Sequence, residues 1–215
     1  MDHSLAQKID TFFARYPVRH YKRGQILIHA GDSPTSIHHL ISGRVKQYDL
    51  SYKGDEVVLN VFKPPAFFPM SHAINKTPNY YYFEAEEDVA MHLAPIEEVA
   101  EFVAANPDVL YDLLSRVYRG TDGLLRRMAH LMASTAKSRV MYELIIECRR
   151  FGTEKGSGIQ VGINESDLGG RAGLSRETVN REMHKLKAEG LIDTSHRHII
   201  VPNLTKLEES LGKDI

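Results

Sequence analysis

A polar helix near the C-terminus carries the side chains best suited to recognising another molecule. Ser175 is a favoured N-cap, and Glu177 falls in the first turn, where the helix dipole favours an acid. One face is apolar at Val179, Met183 and Leu186. The opposite face carries the polar side chains Arg176, Glu177, Asn180, Arg181 and His184. Arginine matches guanine O6 and N7, and glutamate accepts from cytosine N4. This face therefore has the chemistry to recognise bases in a DNA major groove.

The residues just before this helix predict the scaffold that positions it. Asn164 is a favoured N-cap with Asp167 three residues later, which approximates a capping box. Leu168 and Ala172 then share one helical face, and Gly173 permits a tight turn into the next helix. Together these signals predict a helix-turn-helix whose second helix enters the major groove of double-stranded DNA.

A β-hairpin is expected after the second helix. Ile199-Ile200-Val201 follows the turn Ser195-His196-Arg197-His198, which indicates a winged variant with basic residues at the wing tip, where they would meet phosphate. The alternative is a plain surface helix with ordinary ion pairs, such as Glu177 with Arg181. The predicted hairpin weighs against that alternative.

A long helix with a heptad repeat lies in the middle of the chain. Asn106 is a favoured N-cap, Pro107 suits the first helical position, and Asp108 favours the positive end of the dipole. A seam then recurs at alternating spacings of four and three, at Leu110, Leu114, Val117, Thr121, Leu124, Met128 and Leu131. Such a seam is typical of a helix that packs on an identical partner, so we expect a homodimer. Packing on the chain's own β domain is the alternative. Gly120 and Gly123 make the helix middle a place where packing could change.

The residues before the long helix predict a β domain. Turn signals such as Lys22-Arg23-Gly24 and Ser42-Gly43-Arg44 separate short β-rich runs, a pattern typical of a sandwich or barrel. A short helix over about residues 5–15 precedes them. We therefore expect an α+β protein with an antiparallel β domain at 1–105, a dimerisation helix at 106–133 and a winged helix-turn-helix at 134–215.

Composition limits the classes of function. The net charge of -1 means that contact with nucleic acid must come from local patches. Cys148 is the only cysteine, which excludes an intrachain disulfide and a cysteine-ligated iron–sulfur cluster. The sequence has neither a basic and apolar leader nor an apolar run of roughly 20 residues, so we expect a cytoplasmic protein without a membrane segment. It also lacks a nucleophile–base pair, paired carboxylates and a metal triad, so we expect neither an enzyme nor a metal site.

Two adjacent histidines, His38 and His39, were considered as metal ligands. Neighbouring residues on a strand point to opposite faces, so the pair cannot easily share one ion. We expect one of them to face the core and the other to face solvent.

The segment Ser175-Arg176-Glu177-Thr178-Val179-Asn180-Arg181 resembles the recognition helix of the cyclic-AMP receptor protein and fumarate-nitrate regulator (CRP/FNR) family. The order of the elements also matches along nearly the whole chain. The resemblance implies a cyclic-nucleotide-binding-like β-roll (a jelly roll) as sensor domain. It implies that Arg176, Glu177 and Arg181 contact bases and that Ser175 and Thr178 contact phosphate. Asn180 shares this DNA-binding face. It also implies palindromic sites with TGTGA-like half-sites and RNA polymerase as a candidate partner. Gly169-Gly170 departs from the family and should weaken the supporting helix.

The family's cyclic-nucleotide pocket is not matched. Pro69-Met70 occupy the place of the family's Gly-Glu pair, and Asn79-Tyr80 occupy the place of its Arg-Ser pair. Without the arginine, no cation would face the cyclic phosphate. We therefore expect that cyclic AMP is not the effector.

An aromatic and apolar effector pocket is expected instead, with the candidates Phe68, Met70, His72, Tyr80, Tyr82, Thr121 and Leu124. Three alternatives stay open for its occupant. One is an unidentified small apolar or aromatic effector. Another is haem, because His72 lies close to the haem-ligand position of the family's carbon-monoxide sensors. The last is a filled interior, which would make the protein a constitutive DNA binder.

Overall fold

The structure is a computed structural model that describes residues 3–156, 158–195 and 198–212. The chain divides into two compact units, Met1–Gly120 and Thr121–Ile215. Each unit combines helices with antiparallel strands, so the expected α+β class is confirmed. None of the helices within the described ranges is long and apolar enough to cross a membrane.

Antiparallel strands form the body of the first unit. They lie at Val18–Tyr21 (β1), Ile26–Ile28 (β2), Ser36–Ser42 (β3), Val45–Leu50 (β4), Glu56–Phe62 (β5), Ala66–Phe68 (β6), Tyr82–Ala85 (β7) and Val89–Pro95 (β8). One sheet has the order β1-β8-β3-β6 and another the order β2-β7-β4-β5. Leu40 and Met91 from the first sheet pack with Val45 and Phe83 from the second in one buried cluster. The strands therefore form the β-roll that the resemblance implied.

Helices cover the outer face of the first of these sheets. They are α1 (His3–Phe13), α2 (Met70–Asn75), α3 (Ile96–Ala105) and α4 (Pro107–Ala133), of which the last continues into the second unit. Phe13, Ile37, Val99 and Val109 meet in their shared core. The long helix begins at Pro107, as expected. The Asn106 side chain does not cap it but donates from Nδ2 to the Phe102 carbonyl, 2.7 Å away.

The expectation for the two adjacent histidines was wrong, because both are buried. His38 is 6% exposed and His39 is 3% exposed. The reason is that β3 lies inside its sheet and is covered on both faces. Phe13 of α1 stacks on His39 at 4.4 Å between ring centroids, and Phe68 stacks on His38 at 5.6 Å. Loss of water lowers the pKa of each imidazole to about 4, so both are neutral at neutral pH.

The second unit is a helical bundle with a small sheet. After the end of α4, its elements are α5 (Ala136–Phe151), β9 (Thr153–Lys155), β10 (Gly158–Val161), α6 (Glu165–Ala172), α7 (Arg176–Ala188), β11 (Asp193–Ser195), β12 (His198–Val201) and α8 (Leu204–Gly212). The sheet has the order β11-β12-β10-β9, and β11 pairs with β12 as the expected wing. Leu144, Leu168, Leu186 and Leu207 meet in its core. The wing-tip residues His196 and Arg197 lie outside the described residues.

Candidate nucleic-acid interface

Helices α6 and α7 form the predicted helix-turn-helix. The Asn164 side chain caps α6 by accepting from the Asp167 backbone N–H at 2.8 Å. The Asp167 carboxylate in turn accepts from the Asn164 side-chain amide at 2.5 Å. Gly173 ends α6 with a φ of 63°, which a residue with a side chain rarely adopts. These short-range signals therefore placed the turn correctly.

Gly169, the first glycine of the pair in α6, has a structural role that sequence reasoning missed. A Cβ atom on Gly169 would lie 2.7 Å from the carbonyl oxygen of Leu174, in the turn that follows. Glycine at this position thus lets the turn pack closely on α6. The helix itself continues past Gly169 to Ala172. At this position the glycine allows a close approach of two backbone segments, which offsets its weak helix propensity.

Helix α7 has the two-sided character that was predicted. Val179, Met183 and Leu186 are buried, while the side chains of Arg176 and Arg181 are 72% and 64% exposed. Glu177 is also exposed on this side. The helix therefore projects three charged groups from a rigidly packed support.

The first turn of α7 is organised by hydroxyl groups. Ser175 Oγ accepts from the Thr178 backbone N–H at 3.3 Å and lies 3.2 Å from the Thr178 hydroxyl. The Glu177 backbone N–H and the Ser175 side chain lower the pKa of the Glu177 carboxyl. Glu177 is therefore ionised at neutral pH and can act only as an acceptor.

Glu165 is a contributor to this surface that the sequence did not reveal. Its Oε1 accepts from Asn180 Nδ2 at 2.7 Å, and its Oε2 lies 3.5 Å from Arg176 Nε. Asn180, which was expected to face outward, is half-buried and held by this contact. Glu165 precedes Asn180 by 15 residues and lies on another helix, so helical spacing could not have paired them.

The heptad seam of α4 is largely open in the single chain. Leu110, Leu114, Val117, Leu124 and Met128 are each between 46% and 62% exposed, and Thr121 is also exposed. Leu131 is half-buried, and a Cβ on Gly173 would lie 3.7 Å from its Cδ2.

A different face of α4 packs on the β-roll within the first unit. Val109 and Leu113 join the core beneath the helices, and Arg116 donates to the Pro65 carbonyl at 2.7 Å. These residues are one position away from the seam, so the seam is not the surface that packs on the chain's own β domain.

The effector candidates of the first unit do not surround one space. Phe68 is buried between the sheets and stacks with Phe62 at 4.9 Å and with Phe83 at 5.2 Å. Met70 packs in the other cluster of this unit, below the helices. Aromatic rings thus occupy the interior where a ligand was expected.

The remaining candidates lie at or near the surface. Tyr80 is 64% exposed, and Tyr82 stacks on Tyr48 at 5.2 Å. His72 is half-buried, with Nδ1 lying 2.5 Å from the Thr77 carbonyl oxygen. Thr121 and Leu124 belong to the part of α4 in the second unit.

Other potential sites on the described residues offer little for a ligand. A cavity of about 210 Å³ is lined by His20, Tyr21, Lys22, Ser42, Asp88, Val89 and Ala90, none of which was an effector candidate. Within the described ranges, no group of three or more His, Cys, Asp or Glu side chains is placed to hold a metal ion. The rings stacked beside Phe68 lie between the two sheets of the roll.

Comparisons with known proteins agree with this architecture. Residues 18–106 match the model of the cyclic nucleotide-binding domain, and residues 126–210 match the Crp-like helix-turn-helix domain. The global nitrogen regulator of Nostoc sp. (strain PCC 7120) is 26% identical over 192 residues, which cover 86% of this chain and 84% of that protein. The cAMP-activated global transcriptional regulator CRP of Pasteurella multocida is 22% identical over 200 residues, which cover 92% and 96% of the two chains.

A solved structure shows the same fold. TTHA1359 of Thermus thermophilus, a CRP/FNR-family transcriptional regulator, aligns with a TM-score of 0.78 and 21% identity over 93% of this chain and 100% of that one. Both halves of the present chain therefore match, in the same order, the parts of such regulators. The chain belongs to the CRP/FNR family of transcription regulators.

Proposed function

We propose that this regulator binds, as a homodimer, a palindromic DNA site with TGTGA-like half-sites. The observation that carries the proposal is the exposed polar face of α7, where Arg176, Glu177 and Arg181 project from a helix whose other face is buried. Two guanidinium groups supply forks for guanine, and the ionised carboxylate supplies an acceptor for the cytosine amino group. Each good bidentate contact is worth about 1–3 kcal/mol of discrimination.

Phosphate contacts come from the start of the same helix. Ser175 and Thr178 place two hydroxyls at the positive end of the helix dipole, which favours an anion. Asn180 has a supporting role in the proposal, because its amide already binds Glu165. The wing adds further contact with the backbone of the duplex.

The dimer forms along the seam of α4. A row of half-exposed leucine, valine and methionine side chains at heptad spacing is the surface that a parallel partner helix would bury. Two-fold symmetry then presents two copies of α7 to major grooves about one helical turn apart. We expect this transcription regulator to act in the cytoplasm. RNA polymerase is its candidate protein partner.

The filled β-roll favours binding without an effector. Phe62, Phe68 and Phe83 stack in the interior, and the segment 69–70 lacks the groups for a nucleotide ribose. Asn79-Tyr80, in the place of the family's Arg-Ser pair, supply no cation for a cyclic phosphate. In this proposal the first unit stabilises the dimer, and DNA binding is constitutive.

Selection from a pool of random duplexes tests the proposal. The purified full chain, without added nucleotide, should enrich an inverted repeat of two TGTGA-like half-sites. Enrichment of single half-sites would contradict the dimeric arrangement, and a pool without enrichment would contradict sequence-specific binding. Repeating the selection with cyclic AMP should leave both the motif and the yield unchanged.

A further inference from the structure

A buried charged cluster joins three helices of the second unit. Arg127 of α4 donates from Nε to Glu143 Oε1 on α5 at 2.7 Å. Its Nη2 donates to the backbone carbonyl of Arg171, in the last turn of α6, at 2.6 Å. Arg171 in turn pairs with Glu147 of α5. The cluster therefore connects the dimerisation helix directly to the first helix of the DNA-binding motif.

The burial of this cluster is unusual for so many charges. The side chains of Arg127, Glu143, Arg171 and Glu147 are 14%, 5%, 6% and 0% exposed. Burial raises the pKa of Glu143, although Arg127 and Arg171 act in the opposite direction. Buried ion pairs often contribute little net stability, because desolvation opposes their attraction, but they can specify one geometry.

Arginine is suited to specifying geometry here. Two nitrogens of the planar Arg127 guanidinium donate hydrogen bonds to two acceptors on different helices. These bonds define the rotation of α4 relative to both α5 and α6. One turn later Leu131 lies beside Gly173, at the turn into α7. The path from α4 to α7 therefore runs through two adjoining contacts, one polar and one apolar.

We infer that Arg127 is a positioning residue that fixes the angle between α4 and the recognition helix, and thereby the spacing of half-sites that the dimer accepts. The inference rests on the proposed function, because spacing has meaning only for a symmetric dimer on a palindrome. In such a dimer the paired α4 helices define the two-fold axis. The orientation of α7 relative to α4 then determines the distance between the two recognition helices.

The test compares full-length variants on three duplexes. These carry the same two half-sites, obtained by selection with the wild-type protein, at the selected spacing, one base pair longer and one base pair shorter. Fluorescence anisotropy gives a Kd for each, and the ratio of Kd values between altered and selected spacings measures spacing discrimination. Wild-type protein should discriminate by about tenfold or more.

Arg127→Met should reduce that ratio by about fivefold or more, because the angle of α7 is no longer specified. Base preference within one half-site should stay unchanged, since Arg176, Glu177 and Arg181 are untouched. Arg127→Lys should give an intermediate ratio, because one ammonium group lacks the planar fork that binds both acceptors. Arg126→Met is the matched control: it removes the same charge from the adjacent, exposed position and should keep the wild-type ratio.

Glu143→Gln keeps the shape of the acceptor and leaves the bond from Arg127 to the Arg171 carbonyl. It provides the measurement if Arg127→Met does not fold, and it should reduce the ratio by about twofold to threefold. Folded variants at position 127 or 143 that keep the wild-type ratio, even with lower thermal stability, would overturn the inference and leave these residues a structural role. Failure of wild-type protein to prefer any spacing would instead overturn the dimeric proposal itself.

Discussion

The recognition helix α7 and the interior of the β-roll use polar and aromatic groups in opposite ways. In α7 the charged groups point outward; Arg176 lies beside Glu165 of the neighbouring helix, and Arg181 lies beside Glu182 of α7 itself. In the roll, the rings of Phe62, Phe68 and Phe83 point inward and contact one another. Among the described residues, α7 thus presents charged side chains outward for a partner, whereas these rings of the first unit pack against one another.

The largest effect is expected at the seam. Leu124→Asp would place two carboxylates opposite each other between the paired helices, so self-association should weaken by about a thousandfold. Monomers should appear in sedimentation velocity, and affinity for the full palindrome should fall towards that of a single half-site. Ile74→Asp, at an exposed aliphatic residue outside the seam, is the control and should remain dimeric. An intact Leu124→Asp dimer would remove the seam from the proposal.

Packing of the roll interior is tested by Phe68→Ala. If the stacked rings form a core, this deletion should lower the free energy of unfolding by about 3–5 kcal/mol. Tyr80→Ala, at an aromatic residue that is 64% exposed, should change it by less than about 1 kcal/mol. Urea unfolding followed by circular dichroism measures both. Equal and small losses would show that the interior is loosely filled and open to an effector.

A buried histidine under helix α1 gives the stability of the protein a distinct pH dependence. Burial lowers the pKa of His39 to about 4, against an opposing effect of Asp10 and with smaller contributions from His92 and Arg116. The unfolded chain therefore takes up the proton more readily, so stability is complete above about pH 6.5 and falls as the pH drops towards 4.

The variant that tests this pH dependence is His39→Phe. Both ring nitrogens of His39 lack a hydrogen-bond partner within the described structure, and the ring stacks on Phe13, so phenylalanine should fit. Between about pH 7 and pH 5, the free energy of unfolding of the wild type should fall by roughly 2 kcal/mol more than that of the variant. Urea midpoints at the two pH values measure this. A variant with the same acid sensitivity as the wild type would show that His39 is not the titrating group.

How much of the structure can be predicted from the sequence depends on how many positions separate the interacting residues. Ser175, Asn164 and Gly173 act on neighbours within a few positions, so their roles as caps and turn could be predicted. The exposed face of α7 followed from helical periodicity in the same way. Local patterns are enough when the partner is on the same or the next turn.

Contacts between distant segments could not be predicted. Arg127 and the Arg171 carbonyl are 44 positions apart, and a basic residue on a long helix gives no sign that it will be buried. One of His38 and His39 was expected to face solvent, but α1 and the second sheet cover both faces of β3. The stacking partners of Phe68 could not be predicted for the same reason, because they come from separate strands.

The smallest effect is expected at the edge of the DNA-binding face. Glu165→Gln can still accept from Asn180 but removes a negative charge beside Arg176. Affinity for all DNA sequences should therefore rise by about twofold, with base preference unchanged, because one repulsion from the phosphates is lost. Anisotropy titrations on specific and random duplexes measure it. A selective loss on the specific duplex would instead assign Glu165 a role in base recognition.

Site selection with Arg181→Ala, run beside the wild type, tests the central claim most directly. We expect the variant to retain the inverted repeat but to lose base preference at one position in each half-site, symmetrically, with affinity lower by about 1–3 kcal/mol. A motif identical to that of the wild type at every position would contradict the claim that this face of α7 recognises bases.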